Sequence, residues 1–194
     1  EEMAFYPSPF GVEIRWRTGN KPPTERLEKL SGIVSPWCYS QKERSLPAVI
    51  GSLLDGEGHT LAAAESCTGG LLSSRLVDIP GASGWFLGGV VSYSNYAKEN
   101  LLGVSGDVLR KKGAVSAEVA AAMCRGARER FGADYALSTT GIAGPTGGTP
   151  EKPVGTVYYG LSTPEVTIVR KNRFTSGRED HRKRSSQAAL ALLW

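Results

Sequence analysis

The sequence predicts an α/β fold, a three-layer α/β/α sandwich around a mostly parallel, mixed sheet. From residue 46 onward, short apolar runs alternate with helical patterns, and three of these runs end in Ser, Thr, Asn or Gly residues. Strands that alternate with helices form sheets covered on both faces. Ligands in such folds bind outside the carboxyl ends of the strands. We therefore expect the three polar loops to converge on one crevice.

Residues 1–45 differ in character from the rest of the chain. Residues 12–17 alternate like a half-buried strand, and residues 23–30 read as a short helix with Thr24 as its cap. Prolines and the polar run at 41–44 indicate an exposed connection. The apolar surface is too small for this segment to fold alone. We predict that 1–45 is a connector at the end of a preceding domain and that 46–194 is the main domain. The chain begins with Glu rather than Met, and we expect that it was cut from a longer one.

The elements of the main domain follow from residue spacing and from start and stop signals. Helices show apolar residues three and four positions apart, begin after polar caps and end at glycine, whereas strands are short, apolar and rich in β-branched residues. In chain order the pattern predicts a helix at 46–55 ended by Gly56, a strand at 60–65, a helix at 71–76, a strand at 86–93, helices at 96–102, 107–112 and 117–131, strands at 135–140, 156–162 and 166–174, and a helix from 178.

Composition narrows the classes of partner. The formal net charge of +4 favours an anionic small molecule at least as well as nucleic acid, and no basic stripe with interleaved aromatic residues is present. No apolar run reaches roughly eighteen residues, and the start lacks the pattern of a signal peptide, so we expect no membrane span. Three widely spaced cysteines and two isolated histidines predict neither a disulfide framework nor a metal site, and they fit a cytoplasmic protein.

The loop at 66–70 joins a buried strand to a helix. Unpaired N–H groups and a positive dipole at a helix start stabilise an anion or a developing oxyanion. Ser66 and Thr68 are thus candidates for a nucleophile or a ligand, while Gly69 and Gly70 let the backbone approach what binds. The alternative is that Ser66 or Thr68 simply caps the helix. The loop on its own favours the cap.

The groups that we expect at the crevice are Ser66, Tyr93, Lys98, Thr140 and the glycine-rich loop at 141–148. A serine needs a base, and in the absence of a nearby histidine the base would be Lys98, neutral if burial and the helix dipole lower its pKa. Tyr93 could pass a proton, and Thr140 or loop N–H groups could bind an oxyanion. Such a Ser–Lys pair suits acyl transfer or amide hydrolysis. A solvated surface lysine is the commoner alternative.

Three further features stay open from the residues alone. The loop at 141–148 matches neither the Walker nor the dinucleotide pattern, and an ordinary long turn explains it equally well. Arg178 and Arg182, one helical turn apart, could clamp a phosphate or could form a solvated helix face, which is the commoner case. Cys67 could be a nucleophile, although a small buried side chain is the commoner role.

Five motifs in order resemble the C-terminal domain of the CinA (competence/damage-inducible) family. The resemblance covers about residue 46 to the C-terminus, and residues 4–14 resemble the connector that precedes this domain in two-domain members. The motifs are Ala64-Glu-Ser-Cys-Thr-Gly-Gly70, Val91-Ser-Tyr-Ser-Asn95 with Lys98, Leu102-Gly-Val104, Gly113-Ala-Val-Ser116, and Thr140-Gly-Ile-Ala-Gly-Pro145 through Glu151-Lys-Pro-Val-Gly155.

This resemblance implies a nicotinamide mononucleotide deamidase of pyridine nucleotide salvage, which hydrolyses the amide to the acid and releases ammonia without a cofactor. Ser66 would be the nucleophile and Lys98 its base, with Tyr93 and Thr140 assisting. We then expect Thr68 to be the helix cap and the protein to pair as a homodimer. The alternatives are a non-catalytic nucleotide-binding or interaction module linked to competence or DNA recombination, and an amidase for another phosphorylated amide. The residues expected around the substrate are Thr68, Gly69, Gly70, Asn95, Gly141, Gly144, Arg178 and, in reserve, Arg182.

Overall fold

The computed structural model describes residues 2–17, 24–42 and 44–194. The predicted start of the first helix at residue 23, the side chain of its predicted cap Thr24, and residue 43 of the predicted polar connection lie outside the described residues. None of the helices in the described residues is both long enough and apolar enough to cross a bilayer.

The main domain contains a five-stranded mixed sheet. Its strands are β3 (Leu61–Glu65), β4 (Phe86–Val91), β5 (Tyr135–Gly141), β6 (Thr156–Ser162) and β7 (Thr167–Arg173). Their order is β4-β3-β5-β6-β7, in which β3 runs parallel to β4 and β5 while β6 is antiparallel to both of its neighbours. The carboxyl ends of β3, β4 and β5 therefore meet at one edge, as the sequence predicts.

Helices cover both faces of the sheet, which confirms the three-layer sandwich. The helices are α2 (Leu46–Glu57), α3 (Leu71–Val77), α4 (Asn95–Leu102), α5 (Gly106–Lys112), α6 (Ala117–Phe131) and α7 (Arg178–Leu193). In β3, Leu61 and Ala63 join one core with α2, α3 and α7, while Ala62 and Ala64 join a second core with α4, α5 and α6. This alternation is the period-two pattern of a strand buried on both faces.

Helix ends follow the predicted capping chemistry at α4 and α6 but not at the end of α2. The side chains of Ser94 and Ser116 accept the N–H groups of the first turns of α4 and α6. The prediction that Gly56 ends α2 is wrong, because the helix continues to Glu57. Gly58, with φ of +69°, supplies the left-handed cap, and a helix tolerates an interior glycine at a cost of about 1 kcal/mol.

The N-terminal segment forms a hairpin of β1 (Glu2–Ser8) and β2 (Gly11–Arg17), followed by α1 (Thr24–Val34). Sequence reasoning missed β1, because Pro7 and consecutive aromatic residues hide its alternation. At the hairpin tip, the Phe10 ring lies 4.2 Å from the Arg75 guanidinium of α3. A cavity of about 650 Å³ separates the hairpin from α7. The domain boundary at residue 45 stays a prediction.

Candidate active site

A cavity of about 190 Å³ lies at the carboxyl edge of β3, β4 and β5. It brings together Ser66 and Tyr93 from the loops after β3 and β4 and Thr140 from the end of β5, so the expected convergence is confirmed. Its lining residues are Ser66, Cys67, Tyr93, Lys98, Ala114, Val115, Thr140, Gly141, Ala143 and Arg178.

A buried carboxylate shapes the loop at 66–70. Glu65 is fully buried and accepts the N–H groups of Gly70, Leu72 and Ser73 and the Ser73 hydroxyl at 2.6 to 3.0 Å. Gly69 and Gly70, with φ of +59° and +92°, turn the loop back over the end of β3 so that this carboxylate reaches the start of α3. The anion that the helix start stabilises is therefore Glu65 itself.

Thr68 does not cap α3, and that prediction is wrong. Its side chain is fully buried, and its hydroxyl lies 2.6 Å from the Thr139 hydroxyl of β5. Glu65 already accepts the N–H groups that a cap would take, so Thr68 ties the loop to the neighbouring strand instead. The Ser66 N–H adds a second tie by donating to the Thr139 carbonyl at 2.9 Å. The position of Ser66 is thus fixed by β5 as well as by β3.

Ser66 and Lys98 form the central contact of the site. The Lys98 side chain is 1% exposed, and its Nζ lies 3.1 Å from Ser66 Oγ and donates to the Ser92 carbonyl at 2.6 Å. Burial lowers the pKa of Lys98 from its ordinary value, partly opposed by the nearby Cys67 thiol. Lys98 is also the fourth residue of α4, where the dipole disfavours a positive charge. The alternative of a solvated surface lysine is therefore wrong.

Cys67 is a buried side chain of low acidity. Burial raises the pKa of its thiol to about 12, so the thiol stays protonated at neutral pH. This favours the role of small filler over that of nucleophile. Among the described residues, its backbone N–H donates to no other residue. That N–H directly follows Ser66, where an oxyanion of an attacked carbonyl would form.

Thr140 lines the cavity but does not offer a proton to it. Its hydroxyl donates to the Ala114 carbonyl at 2.7 Å. In this arrangement the hydroxyl can only accept, which contradicts the predicted role as an oxyanion donor. Neighbouring Gly141 forms part of the wall, and a Cβ there would meet the Thr156 carbonyl oxygen at 2.8 Å. The wall at this point therefore requires glycine.

Tyr93 and Arg178 stand at the mouth of the cavity. Tyr93 is 63% exposed, and its hydroxyl accepts from Arg178 Nη2 at 3.2 Å. Arg178 Nη1 donates to the Gly144 carbonyl at 2.9 Å. Gly144 thus contributes to the site through the carbonyl that orients Arg178. A guanidinium held at a cavity mouth can bind a carboxylate or phosphate bidentately.

Arg182 lies behind the loop rather than in the cavity. Its Nε and Nη2 both donate to the Thr68 carbonyl, at 3.0 and 2.8 Å. Asn95 is exposed at the first position of α4 and does not line the cavity either. Of the predicted substrate-binding residues, Gly141 and Arg178 line the cavity; Thr68, Gly69, Gly70, Asn95, Gly144 and Arg182 do not.

Sequence reasoning missed Glu65 and the carbonyls of Ser92 and Ala114. Glu65 had a signal, because it is the one charged residue of an otherwise apolar strand and directly precedes the loop. The carbonyls had none, since a backbone acceptor carries no sequence signature. In the described ranges, no group of three or more His, Cys, Asp or Glu side chains is placed to hold a metal ion.

Comparison with known sequences gives the family. The sequence model of the CinA C-terminal domain matches residues 43–194. The chain belongs to the CinA family. It is 49% identical over 166 residues to a CinA-like protein of Geotalea daltonii, covering 86% of this chain and 40% of that protein. It is 45% identical over 201 residues to a CinA-like protein of Chlorobium chlorochromatii, covering 99% and 48%. The chain thus spans less than half the length of these curated relatives.

Solved structures of CinA proteins share the fold. The competence-damaged protein (CinA) superfamily protein of Escherichia coli aligns with a TM-score of 0.75 at 31% identity, covering 82% of this chain and 96% of that one. The competence/damage inducible protein of Agrobacterium tumefaciens aligns with a TM-score of 0.72 at 34% identity, covering 79% and 97%. Both the predicted family and the predicted α/β architecture are confirmed.

Proposed function

We propose that this CinA-family chain is an amidase that hydrolyses the carboxamide of nicotinamide mononucleotide to the acid and ammonia. The observation that carries the proposal is the 3.1 Å contact between Ser66 Oγ and the buried Nζ of Lys98 in the wall of a cavity. A lysine whose pKa is lowered by burial can act as a base toward a serine hydroxyl.

The proposed reaction has two stages, formation of an ester on Ser66 and hydrolysis of that ester, and Lys98 carries the proton in both. Neutral Lys98 takes the Ser66 proton as Oγ bonds to the amide carbon, and the carbonyl oxygen becomes an oxyanion beside the Cys67 N–H. The Lys98 ammonium then gives the proton to the amide nitrogen, the C–N bond breaks, and ammonia leaves an ester on Ser66. Water then attacks the ester while Lys98 takes its proton, and the Lys98 ammonium returns that proton to Ser66 Oγ as the C–O bond breaks and the acid departs. Throughout, the Ser92 carbonyl holds Nζ in place at 2.6 Å.

The size of the cavity favours a ring-sized amide with the rest of the substrate outside. A cavity of about 190 Å³ lies below the roughly 300–1,000 Å³ typical of sites that enclose a whole drug-sized ligand. The nicotinamide ring would enter, while the ribose and phosphate would extend past Tyr93 to the mouth. There Arg178 offers a guanidinium for the phosphate. No cofactor takes part in this scheme.

Product formation tests the proposal directly. The protein is incubated with nicotinamide mononucleotide, and ammonia and the acid product are measured. We expect turnover by the wild type and by the surface controls Ser52→Ala and Lys111→Met. Ser66→Ala and Lys98→Met should lose at least about 10³-fold, because each removes one member of the nucleophile–base pair.

The same assay separates the alternatives. Absence of ammonia from the wild type would refute the deamidase. Tight mononucleotide binding without turnover would instead support a nucleotide-binding module, and DNA binding that weakens steeply with salt would support a link to DNA uptake. Release of ammonia from a different phosphorylated amide alone would reassign the substrate while keeping the chemistry.

A further inference from the structure

Helix α7 contacts two parts of the site from successive turns. Arg178 lies in the first turn and reaches the cavity mouth, where it meets the Tyr93 hydroxyl and the Gly144 carbonyl. Arg182, four residues later on the same face of the helix, directs Nε and Nη2 at the Thr68 carbonyl. One rigid element therefore touches both the mouth and the loop that carries Ser66.

The loop depends on contacts from outside itself. Within the loop, the Gly69 N–H reaches the Ser66 carbonyl at 3.2 Å and the Leu71 N–H reaches the Thr68 carbonyl at 3.3 Å. Both bonds are longer than the two charge-assisted bonds from Arg182, at 2.8 and 3.0 Å. The convergence of two donors on one carbonyl uses the fork of the guanidinium, which a lysine cannot reproduce.

A second tie joins α3 to α7 further along. Arg75, in the last turn of α3, donates to the Ser186 hydroxyl and to the Gln187 side-chain oxygen, both at 2.7 Å. Helix α3 is thus fastened to α7 near both of its ends, at Thr68 just before it and at Arg75 within it. Besides the two ties to Thr139 of β5, the loop itself is therefore held by the Arg182 contact from α7.

We propose that Arg182 is a positioning residue that holds the loop at 66–70 against α7 and so keeps Ser66 Oγ within reach of Lys98. The inference rests on the proposed function, since positioning matters only if Ser66 is a nucleophile. It reassigns Arg182 from reserve phosphate ligand to support of the nucleophile. A misplacement of about 1 Å in an active site can cost about 10²-fold in rate.

Two substrates distinguish positioning from phosphate binding. The variants Arg182→Met, Arg182→Lys and Arg178→Met are compared on nicotinamide mononucleotide and on its unphosphorylated nucleoside. We expect Arg182→Met to lower kcat by about 10- to 100-fold on both substrates with KM changed less than about threefold. Arg182→Lys should recover part of the loss, because one ammonium can still reach the Thr68 carbonyl. Arg178→Met should raise KM for the phosphorylated substrate only.

A second readout does not depend on the amide substrate. The rate at which a sulfonyl fluoride modifies Ser66 is followed by mass spectrometry. The matched control is Arg184→Met, which removes the same charge from the same helix at a half-buried position that lines the cavity under the hairpin. We expect Arg182→Met to slow modification of Ser66 about as much as it lowers kcat, and Arg184→Met to match the wild type. Urea unfolding confirms that each variant is folded under assay conditions.

Three results would overturn the assignment of Arg182. The first is that Arg182→Met raises KM for the mononucleotide alone. The second is that Ser66 in Arg182→Met is modified at a rate within twofold of the rate in Arg184→Met. The third is that the reagent does not modify Ser66 in the wild type. If Arg182→Met does not fold, Arg182→Lys tests the positioning role instead. We expect this variant to slow modification of Ser66 at least threefold relative to the wild type. If the wild type hydrolyses neither substrate but Arg182→Met still slows modification, the proposed function fails while the positioning role stands.

Discussion

Two ionisable side chains are buried on either side of Ser66, and they are stabilised in opposite ways. Glu65 accepts hydrogen bonds from three backbone N–H groups and one hydroxyl, all at the positive end of α3. Lys98 instead has the Ser92 carbonyl and Ser66 Oγ as its contacts. Burial lowers the pKa of Lys98 and so favours its neutral amine. Glu65 thus holds the start of α3, whereas Lys98 is the proposed base for Ser66.

The pH dependence of the proposed reaction should report Lys98. Because burial lowers the pKa of Lys98 below 10.5, its neutral fraction grows as pH rises through that lowered value. We therefore expect kcat/KM, measured between pH 6 and 10, to rise with pH. The apparent pKa of this rise should lie below 10.5. Lys98→Arg keeps the charge but cannot act as a base, so it should be inactive throughout. A flat or falling profile would contradict this role.

Replacing Glu65 should reduce stability strongly. In Glu65→Gln the amide NH₂ group faces N–H donors that the carboxylate accepts, so at least one charge-assisted bond is lost and a donor is left unpaired. We expect the free energy of unfolding in urea to fall by about 2 kcal/mol or more. Glu129→Gln, at an exposed position of α6, should change it by less than about 0.5 kcal/mol. Equal effects of the two substitutions would show that Glu65 does not hold the start of α3.

At the scale of elements, the parts that were predictable are those that local spacing decides. Ser116 and Gly132 bound α6 as predicted, because capping depends on a few adjacent residues. Strand β1 was missed, since its hairpin partner rather than its own pattern stabilises it. The sequence analysis assigns the cap of α3 to Thr68 within the loop, whereas the carboxylate that accepts its first N–H groups belongs to Glu65 on the preceding strand. Contacts between elements are what sequence spacing does not encode.

Helix α7 should make stability sensitive to acid through His181. This side chain is fully buried, and its burial, reinforced by the charge of Arg178, lowers the pKa of His181 below 6.5. The unfolded chain therefore takes up a proton below pH 6.5 that the folded chain resists, and stability falls as pH falls through that range. We expect His181→Gln to lose less free energy of unfolding between pH 7.5 and pH 5 than the wild type. The same loss in both would assign the acid sensitivity to other groups.

At the scale of the whole molecule, the sandwich predicts where a site forms but not how its members connect. Three polar loops had to meet because β3, β4 and β5 end at one edge. Which arginine faces the cavity depends on the rotation of α7 about its own axis, which no local sequence pattern determines. Arg178 lines the mouth of the cavity, whereas Arg182 contacts the back of the loop. The predicted homodimer stays a prediction, which sedimentation of the purified protein would check.

The predicted domain boundary leads to a test on the shortened chain 44–194. The five-stranded sheet and every residue that lines the 190 Å³ cavity lie within this range, and it keeps Ser45, whose side chain accepts the Ala48 N–H as the cap of α2. We expect 44–194 to unfold cooperatively in urea and to keep kcat within about threefold of the full chain. It should lose about 1–3 kcal/mol of stability, because Tyr39 no longer packs on the core and Phe10 no longer covers Arg75. Aggregation, or a loss of ammonia release despite a folded state, would show that the first 43 residues belong to the same domain.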